Sequence, residues 1–319
     1  MEVINDLTKI SNPFRNAVVT VGNFDGVHLG HQALIRQAVT QARLLKGTSV
    51  VMTFEPHPVQ VLNCDKQFPI ITPYEQKIEL IQETNTDVFV CIPFTLEFSV
   101  TPARTFVKRV LCDVIGMKVM IAGPDYSFGK NAEGNITLLK ELSTTFGFEV
   151  IIPEWVELGS QRVSSTKIRK LISEGNVEEA GELLGRYYQI RGTVIHGKNR
   201  GRSLLGFPTT NLRLLNELCP KQGVYAVEVE YDAKTYNGVA NIGNSPTFGD
   251  TEYGIEVHIL DFQHEIYNQL IRVNFVRRLR NEKKFVNPEA LALQIGQDVN
   301  MAREILSNSR GHKRSMSDD

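Results

Sequence analysis

An α/β domain with a Rossmann-like parallel sheet, followed by a mainly antiparallel β-barrel and a C-terminal helix, is the architecture this sequence predicts. Three observations predict it. Through residue 150, continuous apolar runs alternate with helical patterns, as a doubly wound parallel sheet requires. From Tyr188 onward β segments follow one another with no helix between them, which points to antiparallel pairing or a small barrel. Residues 17–31 pass from β-branched strand through a glycine-bearing turn into a helix start, the opening unit of such a sheet.

Taken in order, the first half places strands at 17–21, 49–54, 87–92, 118–122 and 149–152, each a short apolar run. Helical periodicity falls between them at 32–45, 72–83, 102–110 and 138–145. A further helical pattern covers 167–172, and 173–184 reads as a helical connector. In the second half, strands are expected at 188–196, 223–231, 235–242, 254–260 and 269–275. An amphipathic helix over 288–306 opens with Pro288, a residue suited to the first helical turn. The polar stretch 307–319 has too little apolar surface to order itself and is expected as a flexible tail. The domain reading is therefore 1–172, a linker over 173–186, a second domain over 187–306, and the tail.

With 319 residues, 42% hydrophobic and 22% charged, the chain has ample material for two cores. A formal net charge of -1 excludes a general attraction to nucleic acid or a membrane surface, so any phosphate binding must be local. No protein partner is implied. Cys64, Cys91, Cys112 and Cys219 are scattered without a Cys-x-x-Cys pair, which suggests neither a zinc site nor a disulfide framework. Reduced thiols fit a cytoplasmic location. Glu2 and Asp6 interrupt the amino terminus, so no signal peptide is expected, and no apolar run approaches a membrane span.

The chemistry concentrates after the strands, where an open parallel sheet collects ligands. After the first lies Gly22-Asn23-Phe24-Asp25-Gly26-Val27-His28-Leu29-Gly30-His31, whose backbone N–H groups at a helix start can receive a phosphate. His28 and His31, three apart, share a face if the helix has begun, and two imidazoles can then donate to one phosphoryl group. The dinucleotide fingerprint Gly-x-Gly-x-x-Gly needs closer glycines than Gly22, Gly26 and Gly30 provide. After the second strand, Phe54 leads into the rigid Glu55-Pro56-His57-Pro58 turn. After the fourth comes 123–130, with Asp125, Tyr126, Phe128 and Lys130 on the same expected rim. After the fifth, Ser164-Ser165-Thr166-Lys167-Ile168-Arg169 enters a helix. Capping alone accounts for Ser165 or Thr166, whereas Lys167 and Arg169 at an already positive helix end suggest a bound anion.

In the second half, the basic connection 196–202 contains Gly197 and Lys198 and leads to Gly206-Phe207-Pro208-Thr209-Thr210-Asn211. Its hydroxyl and amide oxygens suit Mg²⁺, which completes its shell with water and nucleotide phosphates. Alternation of Ile255, Val257 and Ile259 puts Glu256 and His258 on the opposite face of their strand, by itself an ordinary solvent face.

These motifs together resemble the bacterial bifunctional riboflavin kinase/FAD synthetases, the second half matching in 208–211 (Pro-Thr-Thr-Asn where the family has Pro-Thr-Ala-Asn), 223–225, 239–243, 246–248, 256–262 and 279–285. The resemblance implies a transferase that phosphorylates riboflavin to FMN in its second half and adenylylates FMN to FAD in its first. It further implies that His28 and His31 act on the ATP phosphates, with Gly22, Asn23, Phe24, Gly30, Ser165, Thr166 and Arg169 around them. Phe54, His57, Asp125, Tyr126 and Phe128 would line the flavin pocket of that half. Gly197, Lys198, Thr209 and Asn211 would hold ATP in the other half, Thr209 and Asn211 with Mg²⁺. Glu256 would be the base for the ribityl hydroxyl, and Arg280 would lie near the flavin phosphate. The competing readings are a related adenylyl- or cytidylyltransferase whose second half only binds flavin, and a non-catalytic flavin or nucleotide sensor, for which a basic face with exposed aromatics is missing.

Overall fold

β2 (Ala17–Val21), buried at every position, is the strand from which the first sheet is wound. The computed structural model in which it lies describes residues 1–63, 68–159, 161–195, 209–244 and 253–315. On one side β2 pairs with β3 (Ser49–Glu55) and then β4 (Val88–Pro93). On the other it pairs with β5 (Met117–Ile121) and then β6 (Glu149–Ile151). Every pairing is parallel. The sequence reading lacked β1 (Glu2–Ile4), which pairs at the sheet edge with β4, because three residues with one buried side chain leave no periodic trace; it also lacked the short antiparallel pair β7 (Glu157–Leu158) and β8 (Gln161–Arg162).

Both faces of this sheet are covered, which is why its strands read as continuous apolar runs. Val19, Val21, Val50, Met52 and Met120 pack with Phe106, Val107 and Leu111, and with Leu139 and Leu142 from the Ile136–Phe146 helix. The alternate residues Val18, Val119 and Ile121 meet Ala38 and Ala42 of the Leu29–Leu44 helix. Val51 and Phe89 meet Phe24, Val27, Ile35 and Ile81. The helix expected at 102–110 is a short turn, Ala103–Thr105, running into a π-helical segment, Phe106–Val114, that places Leu111 in the core.

The chain divides into two compact units, Met1–Ser165 and Thr166–Asp319. The division falls at the start of the Ser165–Glu174 helix, ahead of the boundary expected at 172.

The second unit is a closed antiparallel barrel. Its strands are β9 (Tyr188–Ile195), β10 (Thr210–Leu214), β11 (Gly223–Tyr231), β12 (Lys234–Asn244), β13 (Tyr253–Ile259) and β14 (Leu270–Arg280), arranged β10-β13-β12-β11-β14-β9 and closed by β9 against β10. β10 was absent from the sequence reading, because its five residues carry too few apolar positions to show alternation. Tyr225, Ala240 and Val257 pair in register and are fully buried inside the barrel, where Tyr225 meets Phe275 edge-on at 5.3 Å. On the outer face Val224, Ala226, Val239 and Val276 pack under Ala302 and Leu306 of the closing helix.

That helix runs from Pro288 to Ser315, past the expected end at 306 and through most of the supposed tail. Once Ala302 and Leu306 are anchored, each added residue gains a hydrogen bond without a new nucleation cost.

Candidate active sites

The 22–31 turn follows β2 and the 123–130 segment follows β5. These neighbouring strands continue to opposite sides of the sheet, so the crevice outside their carboxyl ends is a topological switch point.

His28 is not inside the helix, as sharing a helical face would need; it caps it. With φ -73° and ψ 172° it sits at the N-cap of Leu29–Leu44, and its Nδ1 accepts the His31 N–H at 3.3 Å. A neutral imidazole that accepts at Nδ1 carries its proton on Nε2, which becomes its donating atom. The His28 and His31 rings stack with centroids 3.6 Å apart at an interplanar angle of 16°. Phe24 stands edge-on to His31 at 5.3 Å and is a core residue only 1% exposed, so its ring supports His31 from below.

Strain marks this turn. Phe24 and Val27 have φ of 47° and 39°, a region disfavoured for bulky and β-branched residues and held only where surroundings enforce it. Gln32 Nε2 donates to Val27 O at 2.9 Å, Thr53 Oγ1 to Asn23 O at 3.2 Å, and the Gly22 N–H to Met52 O at 3.1 Å. Asp25, which the sequence reading did not assign, is the organising residue. Buried to 2% exposure, it accepts the Ile71 and Thr72 N–H groups on Oδ1, at 2.9 and 3.2 Å, and its main-chain oxygen accepts the Ser165 hydroxyl at 2.8 Å. Ser165 is thus brought to the turn, with its hydroxyl proton committed to the backbone there. Thr166 and Arg169 follow on the first turn of the Ser165–Glu174 helix.

Several residues expected at the flavin pocket also make structural contacts. Phe128 is a core residue packed near Phe106. His57 is buried and caps the Pro58–Leu62 helix, its Nδ1 accepting the Val59 N–H at 3.2 Å. Phe54 and Tyr126 are half-buried at the core margin, Phe54 edge-on to Phe94 and Tyr126 stacked on Phe128. The Tyr126 hydroxyl is enclosed, and burial pushes its pKa up. Asp125 is exposed and ion-paired with Arg162, whose guanidinium lies 3.2 Å over the Trp155 ring. Beside Glu55, the buried Lys77 ammonium lies 3.9 Å from its carboxylate. No sequence periodicity signalled Arg162, Trp155 or Lys77 as neighbours of these segments.

In the barrel the decisive feature is a row across three strands. Asn211 on β10, Glu256 on β13 and Asn241 on β12 are directly paired, so their side chains share a face. It is the outer one, since Ala240, Ile242, Ile255 and Val257 fill the interior. Asn241 was missed as a site residue, although the alternation that turned Glu256 outward turns it outward too. The Glu256 carboxyl is raised above the ordinary glutamate value, first because surrounding protein removes water from it and second because Glu282 carries a like charge nearby. Thr209 is exposed and precedes β10. Thr210, on the interior side, donates its hydroxyl to Val257 O at 3.1 Å, which satisfies the group added where the resembled family has alanine.

Arg280 Nε and Nη2 grip the Asp298 carboxylate at 2.7–3.1 Å and Nη1 donates to Asn281 O at 3.0 Å, so the guanidinium fastens the closing helix to the barrel. Gly197 and Lys198 lie outside the described residues, as does the 246–248 motif. Among the described residues no group of three or more His, Cys, Asp and Glu could hold a metal ion.

Residues 10–167 match the FAD synthetase family and residues 184–306 the riboflavin kinase family. A bifunctional riboflavin kinase/FMN adenylyltransferase of Listeria monocytogenes serovar 1/2a is 42% identical over 286 residues, covering 89% of this chain and 90% of its own. This chain belongs to the bifunctional riboflavin kinase/FMN adenylyltransferase family. Its member from Escherichia coli (strain K12) is 35% identical over 306 residues, covering 95% of this chain and 97% of the relative. A crystal structure from Streptococcus pneumoniae, described as a macrolide-efflux protein, superposes with a TM-score of 0.85 at 34% identity over 94% of this chain and 98% of that one. The efflux description is that of the pneumococcal protein; among the described residues here no helix is long and apolar enough to cross a membrane.

Proposed function

We propose that this chain makes FMN from riboflavin and ATP in its second half, and FAD from FMN and ATP, with release of pyrophosphate, in its first. The observation that carries this reading is that each half contains, within itself, polar groups placed for its own reaction: the stacked His28–His31 pair at a helix start in one, and the Asn211–Glu256–Asn241 row in the other.

In the first half His28 and His31 donate to the ATP phosphates and stabilise the charge that grows as the FMN phosphate attacks the α-phosphorus. The amides around Gly22, Asn23 and Gly30 receive phosphate oxygens at the helix start. Ser165 holds the turn through Asp25, while Thr166 and Arg169 hold phosphates. Phe54, Tyr126 and Asp125 border the flavin. Alignment of nucleophile and phosphorus supplies about 7–11 kcal/mol of barrier reduction, so no covalent intermediate is needed.

In the second half Glu256 accepts the proton of the ribityl 5′-hydroxyl as that oxygen attacks the γ-phosphorus, the bond from that phosphorus to the β,γ-bridging oxygen breaks and ADP leaves; a raised carboxylate pKa makes Glu256 a better base while it remains ionised. Gly197 and Lys198 belong to the ATP side. The oxygens of Thr209 and Asn211 are hard donors of the kind Mg²⁺ accepts, and a partial protein set suits an ion that takes other ligands from phosphate and water. Bound there, Mg²⁺ supplies neutralisation of phosphate charge. The modules in this reading are 1–172 and 187–306, joined by 173–186, acting in the cytoplasm, where Cys91, Cys112 and Cys219 stay as free thiols.

Incubation with riboflavin, ATP and Mg²⁺, followed by chromatography, should yield FMN and then FAD. Flavin binding without either product would refute the enzymatic reading.

A further inference from the structure

Glu282 lies beyond the end of β14, in a segment that belongs to no strand. Where its carboxylate sits is fixed by a glycine on another strand. A Cβ on Gly243 of β12 would overlap Oε1 of Glu282 and lie 2.9 Å from its Cδ, so the carboxylate occupies the space a side chain at 243 would fill. Gly243 is two residues along β12 from Asn241 and therefore on the same face. Asn241 pairs with Glu256, which pairs with Asn211. The glycine thus lets a second carboxylate join this outer-face row, delivered by a different stretch of chain.

Gly243 and Glu256 are diagonal neighbours on adjacent strands, positions about 7–8 Å apart. Accepting the kinase reading of this half, the site must hold ATP and riboflavin. A carboxylate repels the phosphates of the first and suits uncharged donors, and riboflavin brings a pentitol chain with a hydroxyl on each carbon beyond the one attached to the ring. Its terminal hydroxyl is the nucleophile. A second acceptor delivered at that diagonal position matches a hydroxyl farther up the same chain.

We propose that Glu282 is a substrate-binding residue that accepts a hydrogen bond from a ribityl hydroxyl other than the one phosphorylated, and that Gly243 is the position that leaves room for it. Hydrogen bonds to a charged acceptor are strong enough for its loss to be measurable as binding.

The test is steady-state FMN formation by the full chain with riboflavin and with 2′-, 3′- and 4′-deoxyriboflavin. E282A should raise the KM for riboflavin about tenfold or more while changing kcat much less. One deoxy analogue should already bind the wild type poorly by a similar factor, and E282A should cost that analogue almost nothing. G243A, which displaces the carboxylate, should repeat the pattern. The denaturation midpoint of the barrel reports folding in the same preparations, and if E282A lowers it sharply, E282Q and G243A carry the comparison. An unchanged KM for riboflavin, or an equal loss on riboflavin and every analogue, overturns the role of Glu282. A wild-type chain that makes no FMN overturns the kinase reading instead.

Discussion

Gly30 shows how one missing methyl leaves room for the capping imidazole of His28. A Cβ at that position would lie 3.2 Å from both Cε1 and Nδ1 of His28, closer than the cap geometry allows without pushing the imidazole aside. Gly30→Ala is therefore expected to slow FAD formation about tenfold or more, because displacements well under an ångström degrade alignment, while FMN formation in the same preparation stays near wild type. The cysteines give a second prediction. Burial, helped by the Glu55 charge, pushes the Cys91 thiol up to about 11, and burial pushes Cys219 up to about 12. Only the thiolate reacts, so at about pH 8.5 iodoacetamide should label both much more slowly in the native protein than after denaturation. Equal rates for either thiol in the native and denatured chain would contradict these raised values.

At the level of elements, the closing helix depends on one ion pair as well as its apolar face. Arg280 and Asp298 are 15% and 5% exposed in their side chains and share a bidentate contact. Removing one partner leaves the other buried and uncompensated, so Asp298→Ala should destabilise the second unit by about 3–5 kcal/mol, read as a fall in the denaturation midpoint of the barrel. FAD formation from supplied FMN should persist under native conditions. The helix itself was legible from Pro288 and its periodic apolar residues; its extension to Ser315 was not, because a polar terminal turn is ordered by what precedes it. β10 was illegible for the opposite reason, since its pairing partners, β9 and β13, give it a strand conformation that its own residues do not announce.

For the molecule as a whole, two units and two family matches mean that the reactions should separate by mutation. His28→Ala should abolish FAD formation from FMN and leave FMN formation almost intact. Glu256→Ala should stop FMN formation yet still convert supplied FMN to FAD. Equal loss of both activities in either variant would contradict separate sites.

The amino-acid sequence by itself determined the α/β-then-barrel order, the histidine turn, the serine- and threonine-bearing helix start and the outward Glu256, because strand alternation, glycine placement and helix capping are local and leave a periodic trace. Tertiary structure alone decided that Asp25 joins the turn to Ser165, that Asn241 stands beside Glu256, that Arg280 fastens a helix, and that Phe24 and Phe128 are core. Each of those depends on which distant segment comes within contact distance, and a pairing between remote residues leaves no spacing in the chain to be read.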